Sequence, residues 1–288
     1  MASYIAEIPR DYTVWAFSDV HGVRSGLAEV LAKAGLIDDS ERWCAPPKTA
    51  LVGIGDYIDR GADSLGVLEL LYCLRAEALT QQGMVVPAKG NHEAMLLGIL
   101  DGRDDYLGTW LSDFAGGRAT LTSFGISRDS RVTGRTARDL AIAISAREPR
   151  LRDWLRAMPE AVIWRDVLLC HAGPVANTTP RYFGAVSSEH LWQSPDFAAL
   201  HMAEFNLDSS LFDGYRDEGI TRFVFGHESH EGPLTYQRGR MLALDTNATG
   251  GAPGIKRATV SLARLVPEGD LGTSRFVFAA TRTAPDRA

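Results

Sequence analysis

The sequence predicts an α/β protein with two β-sheets, and three observations carry that expectation. Before residue 100, an apolar strand-sized run gives way three times to a polar loop and then to a helix-spaced apolar stripe. A middle stretch is rich in Arg and Ala at helical spacing, and the rest of the chain is a series of short β-branched and aromatic runs separated by turn residues.

Thr13-Val14-Trp15-Ala16-Phe17 is the first strand; it stops at Ser18-Asp19-Val20-His21-Gly22, after which Leu27, Val30, Leu31 and Ala34 mark a helix. The pattern returns from Thr49 to Ile54, passes through Gly55-Asp56-Tyr57-Ile58-Asp59-Arg60-Gly61, and enters a helix marked by Leu65, Leu68, Leu71 and Leu74. That leucine stripe reads as core. A third copy runs from Met84 to Ala88, then Gly90-Asn91-His92-Glu93, then Met95, Leu96 and Ile99. Three consecutive βα units predict a largely parallel sheet with polar loops gathered at the carboxyl ends of its strands. From about 101 to 158, Leu140, Ile142 and Ile144, then Leu151, Trp154 and Leu155, predict a helical insertion or cap. Strand-like runs follow around Ala161 to Trp164, Val167 to His171, Arg222 to Gly226, Leu234 to Gln237, Met241 to Leu244, Thr259 to Leu265 and Arg275 to Ala279. Their hairpin-like spacing predicts a second sheet that is mostly antiparallel. With no repeat, low-complexity tract or Pro/Ser-rich linker, residues 1–288 read as a single domain.

Composition narrows the function. At 45% hydrophobic and 23% charged residues, the chain of 288 is that of an ordinary globular protein long enough for a sizeable core. A formal net charge of -6, with neither sign in long runs, predicts no nucleic-acid partner. The longest apolar stretches fall far short of the roughly 20 residues of a membrane span, and the N-terminus lacks signal-peptide grammar, so a cytoplasmic location is expected. Cys44, Cys73 and Cys170, odd in number and without CxxC spacing, fit a reducing compartment and read as small buried hydrophobes.

The ends of the predicted strands carry Asp19 and His21, Asp56 and Asp59, Asn91 and His92, then His171 and His227. Oxygen and imidazole ligands without sulfur suit Mn²⁺, Fe or Zn²⁺ better than Ca²⁺ or an iron–sulfur cluster. Such a set is larger than one tetrahedral site uses, so a two-metal centre with a shared carboxylate is expected, with Asp56 the candidate bridge.

These blocks resemble, in order, those of the calcineurin-like metallophosphoesterases: Ser18 to Gly22, Gly55 to Gly61, Gly90 to Glu93, His171-Ala172-Gly173 and Gly226-His227. The Tyr57 to Gly61 and Glu93 variants resemble the phosphoprotein phosphatase branch, including bacterial and phage serine/threonine phosphatases. Trp110, Gly116-Gly117, Thr120-Leu121 and Ser123-Phe124-Gly125 are similar to the stretch that follows in bacterial members, and Leu244-Asp245-Thr246 to their closing strand. The resemblance implies a sandwich of two sheets with helices on both outer sides. It assigns Asp19 and His21 to one metal, Asn91, His171 and His227 to the other, and Asp56 to both, the pair being Mn or Fe/Zn. It further implies phosphate monoester hydrolysis by a metal-bridging hydroxide, with His92 as general acid, Asp59 as the holder of its imidazole, and Arg60 with Asn91 on the phosphate. The expected substrate is a phosphorylated protein or a small phosphoester.

Two rivals remain open. A symmetrical dinucleoside tetraphosphatase uses the same metals, but its relatives usually lack the second Asp of the Gly55 to Gly61 heptad and carry Asp in place of Glu93. A catalytically silent binding module should have lost some of the ligands, all of which are present. His230, three residues after His227, is read as a loop residue, and His190 and His201 as residues of helical stretches. Leu191-Trp192-Gln193-Ser194-Pro195 lacks the arginine that bacterial members often carry at the position of Ser194, which leaves Arg181 and Arg216 as candidate substitutes, and Asn247 stands where Gly is common.

Overall fold

The computed structural model describes residues 5–126, 136–174, 206–252 and 254–281. Its first sheet has five strands in the order β11-β10-β2-β3-β4: β2 (Thr13–Phe17), β3 (Thr49–Gly53), β4 (Met84–Pro87), β10 (Thr259–Arg264) and β11 (Arg275–Ala280). The strands β2, β3 and β4 are parallel and in register, Phe17 opposite Gly53 and Gly53 opposite Pro87, so their carboxyl ends lie side by side. Between them run the helices α1 (Arg24–Lys33) and α2 (Ser64–Thr80), with α3 (Asn91–Leu100) following β4. Alternation along the strands divides the faces. Val14, Ala16, Ala50 and Val52 point into the space between the sheets. Trp15, Phe17 and Leu51 point outward into the core formed with α1, α2 and α3.

The second sheet has six strands in the order β1-β5-β6-β7-β9-β8: β1 (Ile5–Ile8), β5 (Ala161–Trp164), β6 (Val167–Cys170), β7 (Arg222–Phe225), β8 (Leu234–Tyr236) and β9 (Met241–Ala243). Two expectations fail here. This sheet is mixed rather than mostly antiparallel, since β1 with β5, β6 with β7 and β7 with β9 are parallel pairs. The β10–β11 hairpin joins the first sheet through antiparallel pairing of β10 with β2. Strand β1, which had no βα signature, adds an edge. The parallel β6, β7 and β9 end at the same end of the sandwich as β2, β3 and β4, and the Gly226 N–H donates to the His171 carbonyl at 2.8 Å across that end. Phe212, Tyr215, Phe223 and Phe225 close the outer face of this sheet.

The middle of the chain forms α4 (Leu107–Trp110), α5 (Gly117–Ser123), α6 (Ala137–Ser145) and α7 (Leu151–Ala157). Helices α6 and α7 pack on α3, and α5 packs on α2. Arg222, buried at the start of β7, pairs with Asp166 through Nη2 at 2.5 Å and Nε at 2.8 Å and donates to the carbonyls of Val266 and Pro267, tying the β5–β6 turn to the segment after β10. Cys170 is buried as expected, but Cys44 and Cys73 are exposed thiols and not core residues: both lie on polar edges, after α1 and on the outer side of α2. Among the described residues no helix is long and apolar enough to cross a membrane.

Candidate metal centre

Each of the predicted site residues follows a strand or opens a helix. Asp19 and His21 come after β2, Asp56, Asp59 and Arg60 after β3, Asn91 and His92 form the first turn of α3, His171 follows β6 and His227 follows β7. The loops are tight: Asp19, His21, Asp56, Asp59, Arg60 and His227 all take positive φ, between 45° and 72°, which non-glycine residues adopt only under constraint. One constraint is Glu93. Its carboxylate accepts from the backbone N–H groups of Asp56 (2.8 Å), Tyr57 (2.8 Å) and Gly90 (2.9 Å), locking the loop after β3 to the start of α3. A side chain at Gly90 would collide with the Asp56 carboxylate, and one at Gly226 would collide with Ser18 and Asp19, so the loops meet only because these two positions lack a Cβ.

The geometry gathers two groups that share Asp56. Ligand atoms of Asp56, His171 and His227 lie within 4.8 Å of one another, as do those of Asp56, His21 and His92. Asn91 belongs with the first group, its Oδ1 standing 2.9 Å from His171 Nε2 and 3.2 Å from His227 Nδ1. The Asp56 Oδ2 atom is 3.3 Å from His171 Nε2 and 3.7 Å from both His21 Nε2 and His92 Nε2. Asp19 is buried beside these groups but in neither triad; its Oδ2 accepts from the Ser18 hydroxyl and from the His227 N–H at 3.0 Å. His21 Nδ1 faces the Ile58 carbonyl and His171 Nδ1 the Ile54 carbonyl, each at 2.9 Å, which fixes the tautomer that leaves Nε2 as the acceptor aimed into the site.

The donor set fits cations. Asp19, Asp56 and Asp245 are buried, and among the described residues none forms an ion pair with Lys or Arg. Burial, reinforced by the nearby Asp245 charge, holds the Asp19 carboxyl well above the usual range. Burial works the same way on Asp56, but the His171 and His92 imidazoles outweigh it and hold that carboxyl well below its usual range. Burial opposes a charge on His171, which Asp56 and Asp19 nevertheless push up to about 10, while burial and His171 push His227 down to about 4. Carboxylates and imidazoles converging in a buried cluster are the donor set of a dinuclear site for borderline ions.

Beside the ligands, His92 Nδ1 donates to Asp59 Oδ2 at 2.7 Å, and both residues are buried. Burial disfavours the imidazolium of His92, but Asp56 and the hydrogen bond to Asp59 raise its pKa. Arg60 reaches His21 Nε2 at 2.8 Å and His92 Nε2 at 3.4 Å. A cleft of about 970 Å³ opens over the site, lined by His21, Arg60, Phe114, Arg118, His227, His230 and Asp245 among others. His230 lies in the loop after His227, its Nε2 3.3 Å from the Tyr236 hydroxyl. Sequence reasoning missed Arg118, half-buried in the cleft wall near Arg60, and the carboxylate Asp245, held by Ser229 Oγ at 2.6 Å and Asn247 N–H at 2.8 Å. Arg216 is not the missing clamp: it donates to the carbonyls of Leu207 and Ser209 and pairs with Asp213. Arg181, His190, Ser194 and His201 lie outside the described residues.

A family model described as calcineurin-like phosphoesterase matches residues 12–231. Shewanella-like protein phosphatase 2 of Arabidopsis thaliana is 40% identical over 80 residues, 28% of this chain and 20% of its own length. A symmetrical bis(5'-nucleosyl)-tetraphosphatase of Janthinobacterium sp. is 26% identical over 204 residues, 70% of this chain and 59% of its own. The chain thus spans between a fifth and about three fifths of these curated relatives. A solved protein serine/threonine phosphatase of Saccharomyces cerevisiae has the same fold, with a TM-score of 0.61 at 16% identity over 99% of this chain and 86% of that one. With the matched segment carrying every residue of the shared-carboxylate cluster, the chain belongs to the calcineurin-like phosphoesterase family.

Proposed function

We propose that this protein hydrolyses phosphate monoesters as a serine/threonine protein phosphatase, at two metal ions, Mn or Fe/Zn, held by Asp19, His21, Asp56, Asn91, His171 and His227. The observation that carries the reading is that one buried carboxylate, Asp56, is common to two ligand groups, with the His92–Asp59 pair and Arg60 beside it. Two cations held by these residues would, when bound, neutralise charge on the phosphoryl oxygens and lower the pKa of a water. Arg60, with its planar fork, binds and orients the phosphate, and Asn91 assists it. As water attacks phosphorus and the P–O bond to the leaving group breaks, the His92 Nε2 proton passes to the departing oxygen; Asp59 keeps Nδ1 protonated and the ring aligned, and solvent returns the proton. The products are the alcohol and inorganic phosphate.

The long match to a dinucleoside tetraphosphatase favours a second reading, in which the same groups cleave an anhydride between two nucleosides. Mn-loaded protein assayed side by side on a phosphoserine peptide, a phosphotyrosine peptide and diadenosine tetraphosphate separates the two. Turnover of the phosphoserine peptide at least tenfold above the dinucleotide is expected, and the reverse order would replace the first reading with the second.

A further inference from the structure

The reading of His92 as general acid, on which this inference rests, leaves the segment 107–123 without a role, although Trp110, Gly116-Gly117 and Thr120-Leu121 lie in it. We propose that Trp110 and Thr120 are positioning residues: they fix Asp59, and through it the imidazole of His92, so that this segment preorganises the leaving-group side of the site independently of the metal ligands.

Asp59 is fully buried and sits at φ 72°. Its carboxylate carries three hydrogen bonds from three helices: His92 of α3 at 2.7 Å and Trp110 Nε1 of α4 at 2.9 Å, both on Oδ2, and the Thr120 hydroxyl of α5 at 2.6 Å on Oδ1. The Asp59 N–H donates back to Thr120 Oγ1 at 2.9 Å and to Ser64 Oγ at 3.0 Å, and those two hydroxyls stand 2.9 Å apart. Thr120 therefore holds both the backbone and the carboxylate of one residue. Trp110 is itself fully buried, and Gly117 packs so closely that a Cβ there would strike the indole, which sets the ring's place. The same segment also seats Arg60: the Gly116 carbonyl accepts from its N–H at 3.2 Å and the Phe114 carbonyl from its Nε at 3.3 Å.

Contrast with the ligands decides the role. Among the described residues, the hydrogen bonds of Asp19, His21, Asp56, Asn91 and His171 come from the βα loops and the second sheet, and none from residues 107–123. Loss of the Thr120 hydroxyl strips Oδ1 of its donor in a site closed to water, so the carboxylate must turn, and the imidazole bonded to Oδ2 turns with it. Asp19, His21, Asp56, Asn91 and His171, which take no bond from Thr120 or Trp110, have no reason to follow.

Thr120→Val removes the hydroxyl at nearly constant volume, Thr120→Ser restores it, and Trp110→Phe removes the second donor. On Mn-loaded protein, kcat for an alkyl phosphate is expected to fall about 10- to 100-fold in Thr120→Val and Trp110→Phe. The loss should be smaller for nitrophenyl phosphate, whose leaving group needs no acid, with two metals per chain retained and the alkyl activity recovered in Thr120→Ser. Independently of any substrate, the NMR resonance of the His92 Nδ1–H, assigned by its absence in His92→Asn, should shift or broaden in Thr120→Val. Equal losses on the two esters, a parallel loss of metal, or an unmoved His92 resonance would overturn the proposal. If no phosphate ester is turned over by the wild type, the functional reading fails, and the resonance alone still decides whether Thr120 positions His92.

Discussion

The chemistry of the site concentrates in a few atoms, and Asp56 Oδ2 is the one on which the others converge, 3.3 to 3.7 Å from three imidazoles. His92 is the residue whose removal should be felt according to the leaving group. His92→Asn is expected to lower kcat by about 10² to 10⁴ for an alkyl phosphate, and by less for nitrophenyl phosphate, in steady-state assays of the two esters. Equal losses would make His92 a purely structural residue. Arg118 shares the cleft wall with Arg60. A guanidinium–phosphate contact is a charged hydrogen bond of about 1.5–3 kcal/mol, so Arg118→Ala should weaken inhibition by inorganic phosphate at least tenfold, as Arg60→Ala should. An unchanged inhibition constant in Arg118→Ala would leave Arg60 as the lone clamp. These candidate ligand positions were legible in the sequence because each lies within a few residues of the end of an apolar run, and a polar Asp or His there is conspicuous. Arg118 and the site role of Asp245 were not, since they reach the site from elements whose approach no local pattern records, and Glu93 was visible in its block while its anchoring bonds, to backbone 37 positions away, were not.

At the scale of elements, the sandwich places the loops by register. The three βα units were legible because each contains its own periodicity and its own turn residues, and β2, α1, β3, α2, β4 and α3 appear where the pattern put them. Sheet membership was not. Whether β10 joins β2 or β9 depends on contacts between residues some 250 positions apart, and the parallel pairing of β6, β7 and β9 depends on crossovers whose path the sequence does not display. Arg222 and Asp166 pin one end of this arrangement. Asp166→Asn removes the charged partner of a buried guanidinium; because Asp166 is about a third exposed, the cost is discounted to about 1–2 kcal/mol, read as a fall of a few degrees in Tm. Burial opposes ionisation of Asp166, but its bonds from Arg222 and Thr221 hold the pKa below the usual carboxylate value. The contribution is therefore complete above the unfolded value of about 3.9 and is lost as pH falls through the lower folded value, so the difference in Tm between wild type and variant should shrink on acidification. A difference independent of pH would show that the ion pair is not its source.

For the whole molecule, the two sheets divide the labour. The first supplies Asp19, His21, Asp56, Asp59, Arg60, Asn91 and His92 from its three parallel strands, and the second supplies His171 and His227 from across the interface. The shared carboxylate stands where they meet, so the site exists only when both sheets are packed. Counting metal ions per chain in Mn-loaded wild type and in Asp56→Asn, after removal of free metal, tests this most directly. Two ions in the wild type and at most one in the variant are predicted; two tightly held ions in Asp56→Asn, or no more than one in the wild type, would contradict the account.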